Sequence, residues 1–232
     1  MVTKVVEDLN YLSKDFLAGV DEVGRGPLAG PVVAACAIMT GGSTNDRAVV
    51  LQDILKLGVT DSKKLSATKR NKIINKLGHQ VENLKCDSLL EVASINNCHI
   101  HVCICEISPA LIDSMNILAA SLEAMANAFE HYQIKGDGWI LVDGNHKLRK
   151  SWNGVEQLPL VKGDSKSVMI GLASIFAKEY RDHLMKKLGA MYPGYGLENH
   201  AGYPTPTHKE AIATLGVTPI HRKSFRGVKE HV

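Results

Sequence analysis

Phe16-Leu-Ala-Gly-Val-Asp-Glu-Val-Gly-Arg-Gly-Pro-Leu-Ala-Gly-Pro-Val-Val-Ala-Ala-Cys-Ala-Ile38 decides the fold. Its apolar run Phe16–Val20 stops at two acids, Asp21-Glu22, crosses a glycine-rich bend, and resumes as Val32–Ile38. Near-continuous apolar runs suit strands covered on both faces. Further along, Trp139-Ile-Leu-Val142 ends directly at Asp143-Gly144, again a strand that stops at an acid and a turn. Ser108-Pro109 provides an N-cap with proline at the first helical position. Leu111, Met115, Leu118, Leu122, Met125 and Phe129 follow at spacings of four and three, the stripe of one long helix. A second stripe runs Val168, Leu172, Phe176, Tyr180, Leu184, Leu188, and Thr205-Pro206 opens a short helix that Gly216 closes. Strands alternating with helices predict an α/β layered fold.

The bulk numbers agree. With 232 residues, 45% hydrophobic and 22% charged, the chain has the makings of a globular core rather than a disordered or fibrous one. Lys+Arg 27 against Asp+Glu 24 leaves +3, which permits a polyanionic partner without demanding one. Charges throughout the first twenty residues leave no apolar core for a signal peptide, and no apolar run reaches the ~18 residues of a membrane span. Five cysteines, an odd number, suggest reduced thiols and a cytoplasmic setting. Two basic runs stand out: Lys63, Lys64, Lys69, Arg70, Lys72 and Lys76, and then Arg222, Lys223, Arg226 and Lys229. Taken alone, such runs read as solvated helix faces.

The unusual feature is acids at the ends of apolar strands: Asp21, Glu22, Asp143, and Asp164 beyond Leu158–Lys162. Carboxylates are rarely buried unless paired or bound to a metal, and strand ends are where α/β sheets gather their sites. Any one of them could be a cap or turn residue, Asp164 the cap of the next helix in particular. Converging, they would repel one another unless cations neutralised them. Mg²⁺ takes hard oxygen ligands, and two such ions ~3.5–4 Å apart can clamp an in-line attack on a phosphodiester. Because strand side chains alternate, Asp21 and Glu22 are expected to share one site only if the regular strand ends between them. Gly24-Arg25-Gly26 beside them reads as a cradle for an anion or a sugar hydroxyl rather than a bare turn.

Ala18–Ala35 resembles the signature opening of bacterial ribonuclease HII, a type 2 ribonuclease H family. The likeness continues in Asp61-Ser-Lys-Lys-Leu-Ser66, Ile112–Asn116, Val142-Asp-Gly-Asn145 and Val161-Lys-Gly-Asp-Ser165. It resumes in Ala173–Lys178, Arg181-Asp182, Gly202-Tyr-Pro-Thr205 and His221-Arg-Lys-Ser-Phe225, in family order from residue 18 to 225. The resemblance implies a ribonuclease H-like fold: a mixed central sheet flanked by helices, with a C-terminal helical extension. One domain is expected over 1–232, with a catalytic core at 16–190 and a substrate-contacting segment at 191–232. The activity implied is hydrolysis of the RNA strand of RNA–DNA hybrids, and incision 5′ of single ribonucleotides in duplex DNA. Products carry 3′-hydroxyl and 5′-phosphate ends, and the role implied is removal of misincorporated ribonucleotides. Asp21, Glu22, Asp143 and Asp164 fall on the family's catalytic, metal-binding carboxylates, for two Mg²⁺ or Mn²⁺ ions. Asp21 would lie between the ions, Asp164 on the water-activating ion, and Glu22 and Asp143 on the leaving-group ion. Gly24, Arg25 and Gly26 match the motif that reads the 2′-hydroxyl and next phosphate, and Tyr203 the tyrosine that packs on the following deoxyribose. Lys63, Lys64 and Lys178 match phosphate-contact positions, which locate a duplex without reading its sequence. No obligatory protein partner is implied, a monomer is, and no sliding-clamp-binding tail follows Phe225.

Three departures stand beside the likeness: Ala201 where lysine is expected, Gly171-Leu172 in place of a small pair, and an apparent insertion from Gly78 to Asn97 without a functional reading. Cys98-His-Ile-His-Val-Cys-Ile-Cys105 invites a zinc site, but neighbours two apart on a strand lie ~6.5–7 Å apart, so four in a row cannot enclose one ion. That segment reads as a half-buried strand. His200, His208 and His221 are open between phosphate contacts and surface residues. Ribonuclease HIII, the near relative, has an extra N-terminal domain and a different glycine motif. The rival from another class is a catalytically weak hybrid-binding protein.

Overall fold

Each apolar run becomes a strand of one sheet. The computed structural model describes residues 7–232; the first six, part of the stretch read as lacking a signal peptide, lie outside the described residues. The strands are β1 (Phe16–Val23), β2 (Val32–Gly41), β3 (Leu89–Ile95), β4 (Cys98–Ile107), β5 (Gly138–Asp143) and β6 (Val155–Leu160). They lie in the order β3-β4-β2-β1-β5-β6. β1, β5 and β6 are parallel, while β2 runs against β1 and β4, and β3 against β4. The sheet is therefore mixed, and both of its faces are covered.

Alternation sorts the side chains. Leu17, Val33, Ala35, Ile100, Val102, Ile104 and Leu141 pack on the face covered by helix α5 (Val168–Met191). Phe16, Val20, Ala34, Cys36, Cys103, Ile140 and Val142 pack on the opposite face, with helix α4 (Ile117–Glu130). A third cluster, including Leu28, Tyr195, Leu197, Ile212 and Val228, joins the 24–31 bend to the C-terminal segment. That segment holds the short helices α6 (Leu197–His200) and α7 (Pro206–Leu215). Among the described residues no helix is long and apolar enough to cross a membrane, and the five cysteines are free.

The stripe expected to form one helix is two. Helix α3 (Pro109–Met115) stops at Asn116, whose φ is +74°, and α4 begins there with the Asn116 side chain accepting from the Ala119 amide. Asparagine both tolerates positive φ and caps, so it turns the chain without breaking the apolar spacing. Residues 78–97 supply a 3-10 turn and β3, an edge strand that the sequence reading lacked. Asn96 and Asn97, with φ of +48° and +61°, make its two-residue connection to β4, as such a hairpin requires. Helices α1 (Thr44–Lys56) and α2 (Ala67–Lys76) lie between β2 and β3 in the chain.

The N-terminus of α5 is fixed from a distance. Asp8 is fully buried and accepts from the Ser167 hydroxyl at 2.8 Å and the amides of Val168 and Met169 at 2.7 and 3.2 Å. The carboxylate satisfies amides that a helix leaves unpaired at its first turn. Asp8→Ala should lower stability by about 2 kcal/mol, because buried donors lose their acceptor. The check is the midpoint of a chemical denaturation curve, and a midpoint equal to wild type would contradict it.

Candidate active site

The parallel ladder between β1 and β5 ends at Val20 opposite Val142, so Asp21 and Asp143 leave adjacent strands side by side. β1 does not end between Asp21 and Glu22: the ladder to β2 runs on through Val23 opposite Val33. The break that a shared site was expected to need is therefore absent. Glu22 points to the other face, yet at the sheet's end its carboxylate still feels the charge of Asp143. Asp164 is neither a strand end nor the cap of α5. It sits in a 3-10 turn, Gly163–Ser165, while Ser167 caps the helix. The Gly163 amide donates to Asp143 Oδ1 at 2.7 Å, which draws that turn against the end of β5.

Burial comes first in the electrostatics and mutual repulsion second. Burial, and then the charges of Glu22, Asp143 and Asp164, hold the Asp21 carboxyl well above the usual range. Burial and Asp143 raise Glu22 against the pull of Arg25, whose guanidinium lies 3.4 Å from Oε1. Asp164 is pushed up to about 6 by burial, Asp143 and Asp61. Burial pulls on the Lys63 ammonium, but Asp21, Asp164 and Asp143 outweigh it, and its pKa rises. One ammonium does not balance this set. The hard oxygen donors and the unneutralised charge fit divalent ions of the Mg²⁺ or Mn²⁺ kind.

Two participants escaped the sequence reading. Asp61 shares a side-chain hydrogen bond with Asp164, and Ser174, on α5, hydrogen-bonds Asp21. Asp61 was visible as the lone acid of its basic run; nothing in the sequence singled out Ser174. Of the expected phosphate contacts, Lys63 faces the carboxylates, Lys64 pairs with Asp61 at 3.3 Å, and Lys178 with Asp182 at 2.6 Å. Lys178 and Tyr203 line a cleft of about 440 Å³ together with Asn71, Asp182 and His200; none of the four carboxylates lines it.

The Gly24–Pro31 bend is held by two arginines with almost no exposed surface. Arg222 donates to the carbonyls of Gly24, Arg25 and Gly30 at 2.6, 3.0 and 3.0 Å. Arg181 donates to those of Pro31, Ala29 and Ala201 at 3.1, 3.2 and 3.1 Å. Gly24 has φ of +92°, and a Cβ there would lie 2.2 Å from Arg181 Nε, so only glycine fits. The solvated reading of the basic runs thus fails at Arg222. It fails too at Arg70, buried against Glu179 at 2.5 Å, while Lys69, Lys72, Lys76, Lys223, Arg226 and Lys229 are exposed as expected. Tyr203, 42% exposed, stands over the bend: a Cβ on Gly26 would be 3.4 Å from its Cε1. His208 Nδ1 bonds the Tyr203 carbonyl at 3.0 Å, and His208 and His221 are buried beneath it, neither surface residues nor phosphate contacts. Ala201 ends α6 at φ +48°, its carbonyl taken by Arg181. Gly171 lets the Asp164 turn approach α5, since a Cβ would lie 3.0 Å from the Asp164 carbonyl oxygen.

The Ribonuclease HII family model matches residues 18–228. Ribonuclease HII of Geobacter metallireducens is 42% identical over 216 residues, 93% of this chain and 86% of that protein. Ribonuclease HII of Chlamydia abortus is 39% identical over 224 residues, 97% of this chain and 90% of that one. The crystal structure of ribonuclease H2 from Pyrococcus horikoshii superposes with a TM-score of 0.67 at 26% identity, covering 93% of this chain and 96% of that one. The ribonuclease H-like sheet and helices expected from the sequence are thereby borne out, and the chain belongs to the ribonuclease HII family of ribonuclease H enzymes.

Proposed function

We propose that this protein hydrolyses the RNA strand of RNA–DNA hybrids and incises 5′ of single ribonucleotides embedded in duplex DNA. The observation that carries the reading is the juxtaposition of carboxylates, the Gly24–Gly26 bend and the Tyr203 ring. A metal-dependent phosphodiesterase needs only the first. The bend and the ring add a surface suited to one sugar: a close-approach backbone for the 2′-hydroxyl, which distinguishes RNA from DNA, and a flat platform for the next residue.

Asp21, Glu22, Asp143 and Asp164 are proposed to hold two Mg²⁺ or Mn²⁺ ions. When bound, these supply an acidified water and charge stabilisation at the leaving oxygen. The water oxygen attacks phosphorus while the bond to the preceding O3′ breaks. O3′ takes a proton and leaves as the 3′-hydroxyl, and the phosphate stays on the 5′ side of the ribonucleotide. Arg25 and Lys63 lie beside the carboxylates, where a backbone phosphate would find positive charge. The buried Arg181 and Arg222 do not touch substrate; they hold the bend and the Tyr203 turn in register. Removing ribonucleotides from DNA is the role such an activity serves.

The direct test is cleavage of a labelled duplex carrying one ribonucleotide, with Mg²⁺ or Mn²⁺. Metal-dependent incision 5′ of the ribonucleotide is expected, with Asp143→Asn at least about 100-fold slower. Tyr203→Ala should slow single-ribonucleotide incision about 10- to 100-fold, the worth of one stacking contact, and long hybrids less. Cutting of long hybrids alone would remove the role of the bend and ring. Binding without cutting of either substrate would favour the hybrid-binding rival.

The Asp164 carboxyl stands at about 6 against an ordinary 3.8. Its folded value exceeds the unfolded one, so its contribution to stability is full below about pH 4 and is lost as pH rises through about 6. Asp164→Asn cannot ionise. In the absence of divalent ions it should be more stable than wild type at pH 7 by roughly 1–3 kcal/mol, with no such gain at pH 4. Equal denaturation midpoints at pH 7 would show that the carboxylates do not repel one another as described.

A further inference from the structure

The α4 face of the sheet holds a second group of donor side chains. Glu22 pairs with Ala34 and Ala34 with Cys105, which places Cys105 two strands across from Glu22, and Cys103 is its neighbour on the same face of β4. The helix cap after α4 is His131. One ligand atom each from Cys103, Cys105 and His131 lie within 4.8 Å of one another. A fourth group touches two of them: Asp87 Oδ1 accepts from Cys105 Sγ at 2.9 Å and lies 3.1 Å from His131 Nε2. Asp87 is fixed there by its own amide, which donates to the Ile104 carbonyl at 2.8 Å.

Four consecutive alternate residues cannot enclose one ion, and here they do not try. His99 turns instead to Glu91 at 2.9 Å. Two neighbours on one strand face can still share an ion when further donors come from other elements. His131 comes from the end of α4, and Asp87 from the segment before β3. The donor atoms of a tetrahedral zinc ion stand roughly 3.3–3.8 Å apart, within the span of this cluster. Two thiolates and an imidazole are a soft set, suited to zinc and unlike the all-oxygen set at the carboxylate site. A cavity of about 460 Å³, lined by Asp87, Cys105 and His131, gives an ion a way in.

We propose that Cys103, Cys105 and His131 bind one Zn²⁺ ion, with the Asp87 carboxylate beside them to complete or orient the set. Binding releases the two thiol protons to solvent and moves no electrons. The ion would tie β4, the end of α4 and the 78–97 segment together as a structural clamp, separate from catalysis. That gives a role to part of a segment that the family resemblance leaves unexplained.

The test uses the full chain purified from zinc-supplemented culture and passed through a weak chelator, with zinc measured by elemental mass spectrometry. One zinc per chain is expected. Replacement by Co²⁺ should give a thiolate-to-cobalt charge-transfer band and tetrahedral d–d bands. His131→Ala, at a partly exposed side chain, and Cys105→Ser should each weaken zinc retention by at least about 100-fold and abolish the band. Asp143→Asn should keep both signals, which separates this site from the carboxylates. Zinc should also raise the melting temperature of wild type and not of His131→Ala. Absence of zinc and of the charge-transfer band in wild type, as a Cys103–Cys105 disulfide would produce, overturns the proposal. So does wild-type zinc retention in His131→Ala.

Discussion

Helix α5 lies against β1 at backbone contact because position 19 has no side chain: a Cβ there would be 2.4 Å from the Ile170 amide. The rest of the molecule is arranged around that approach. The turn preceding the helix carries Asp164, and Asp8 with Ser167 holds the helix start in place. Ser174 meets Asp21 and the Ser62 hydroxyl. Glu179 takes Arg70, which in turn bonds the Ser62 and Leu65 carbonyls and so steadies the turn bearing Asp61 and Lys63. Arg181 reaches the bend and the turn before Tyr203. A single helix thus indexes the carboxylates, Lys63 and the Gly24–Pro31 bend against one strand, and a shift of α5 would move them together.

What is gathered there resists being gathered. Four carboxylates and Asp61 share a partly buried corner, and the first cause of the upward shifts at Asp21, Glu22 and Asp164 is loss of water, with mutual charge next. The fold holds them because its own core, packed on both faces of the sheet, supplies the stability that the site gives up. Such concentrated repulsion is characteristic of sites whose charge is completed by a bound cation.

Charge elsewhere is used for a different purpose. Arg181 and Arg222 are buried, and each spends its guanidinium on three main-chain carbonyls. A bend rich in glycine and proline cannot satisfy its own carbonyls with a ladder, and a planar five-donor fork satisfies several at once. The exposed cations, in contrast, are left to solvent or to loose pairs such as Lys64 with Asp61.

The sequence by itself determined β1, β2 and β5, because continuous apolar runs broken by acids and glycines have few other readings, and with them the acids at the strand ends and the glycine-rich bend. β3, a half-exposed edge strand, carries no such run. The family likeness is legible because its motifs are contiguous in the chain. Tertiary structure decided whatever depends on partners distant in sequence. An arginine in a basic run looks the same whether solvated or buried, so Arg70 and Arg222 were visible only once Glu179 and the 24–30 carbonyls were placed against them. Asn116 divides a helix without disturbing its apolar spacing, so periodicity cannot report it. Asp61, Ser174 and the grouping of Cys103, Cys105 and His131 are products of packing, since side chains far apart in the chain meet only where the sheet and its helices bring them together.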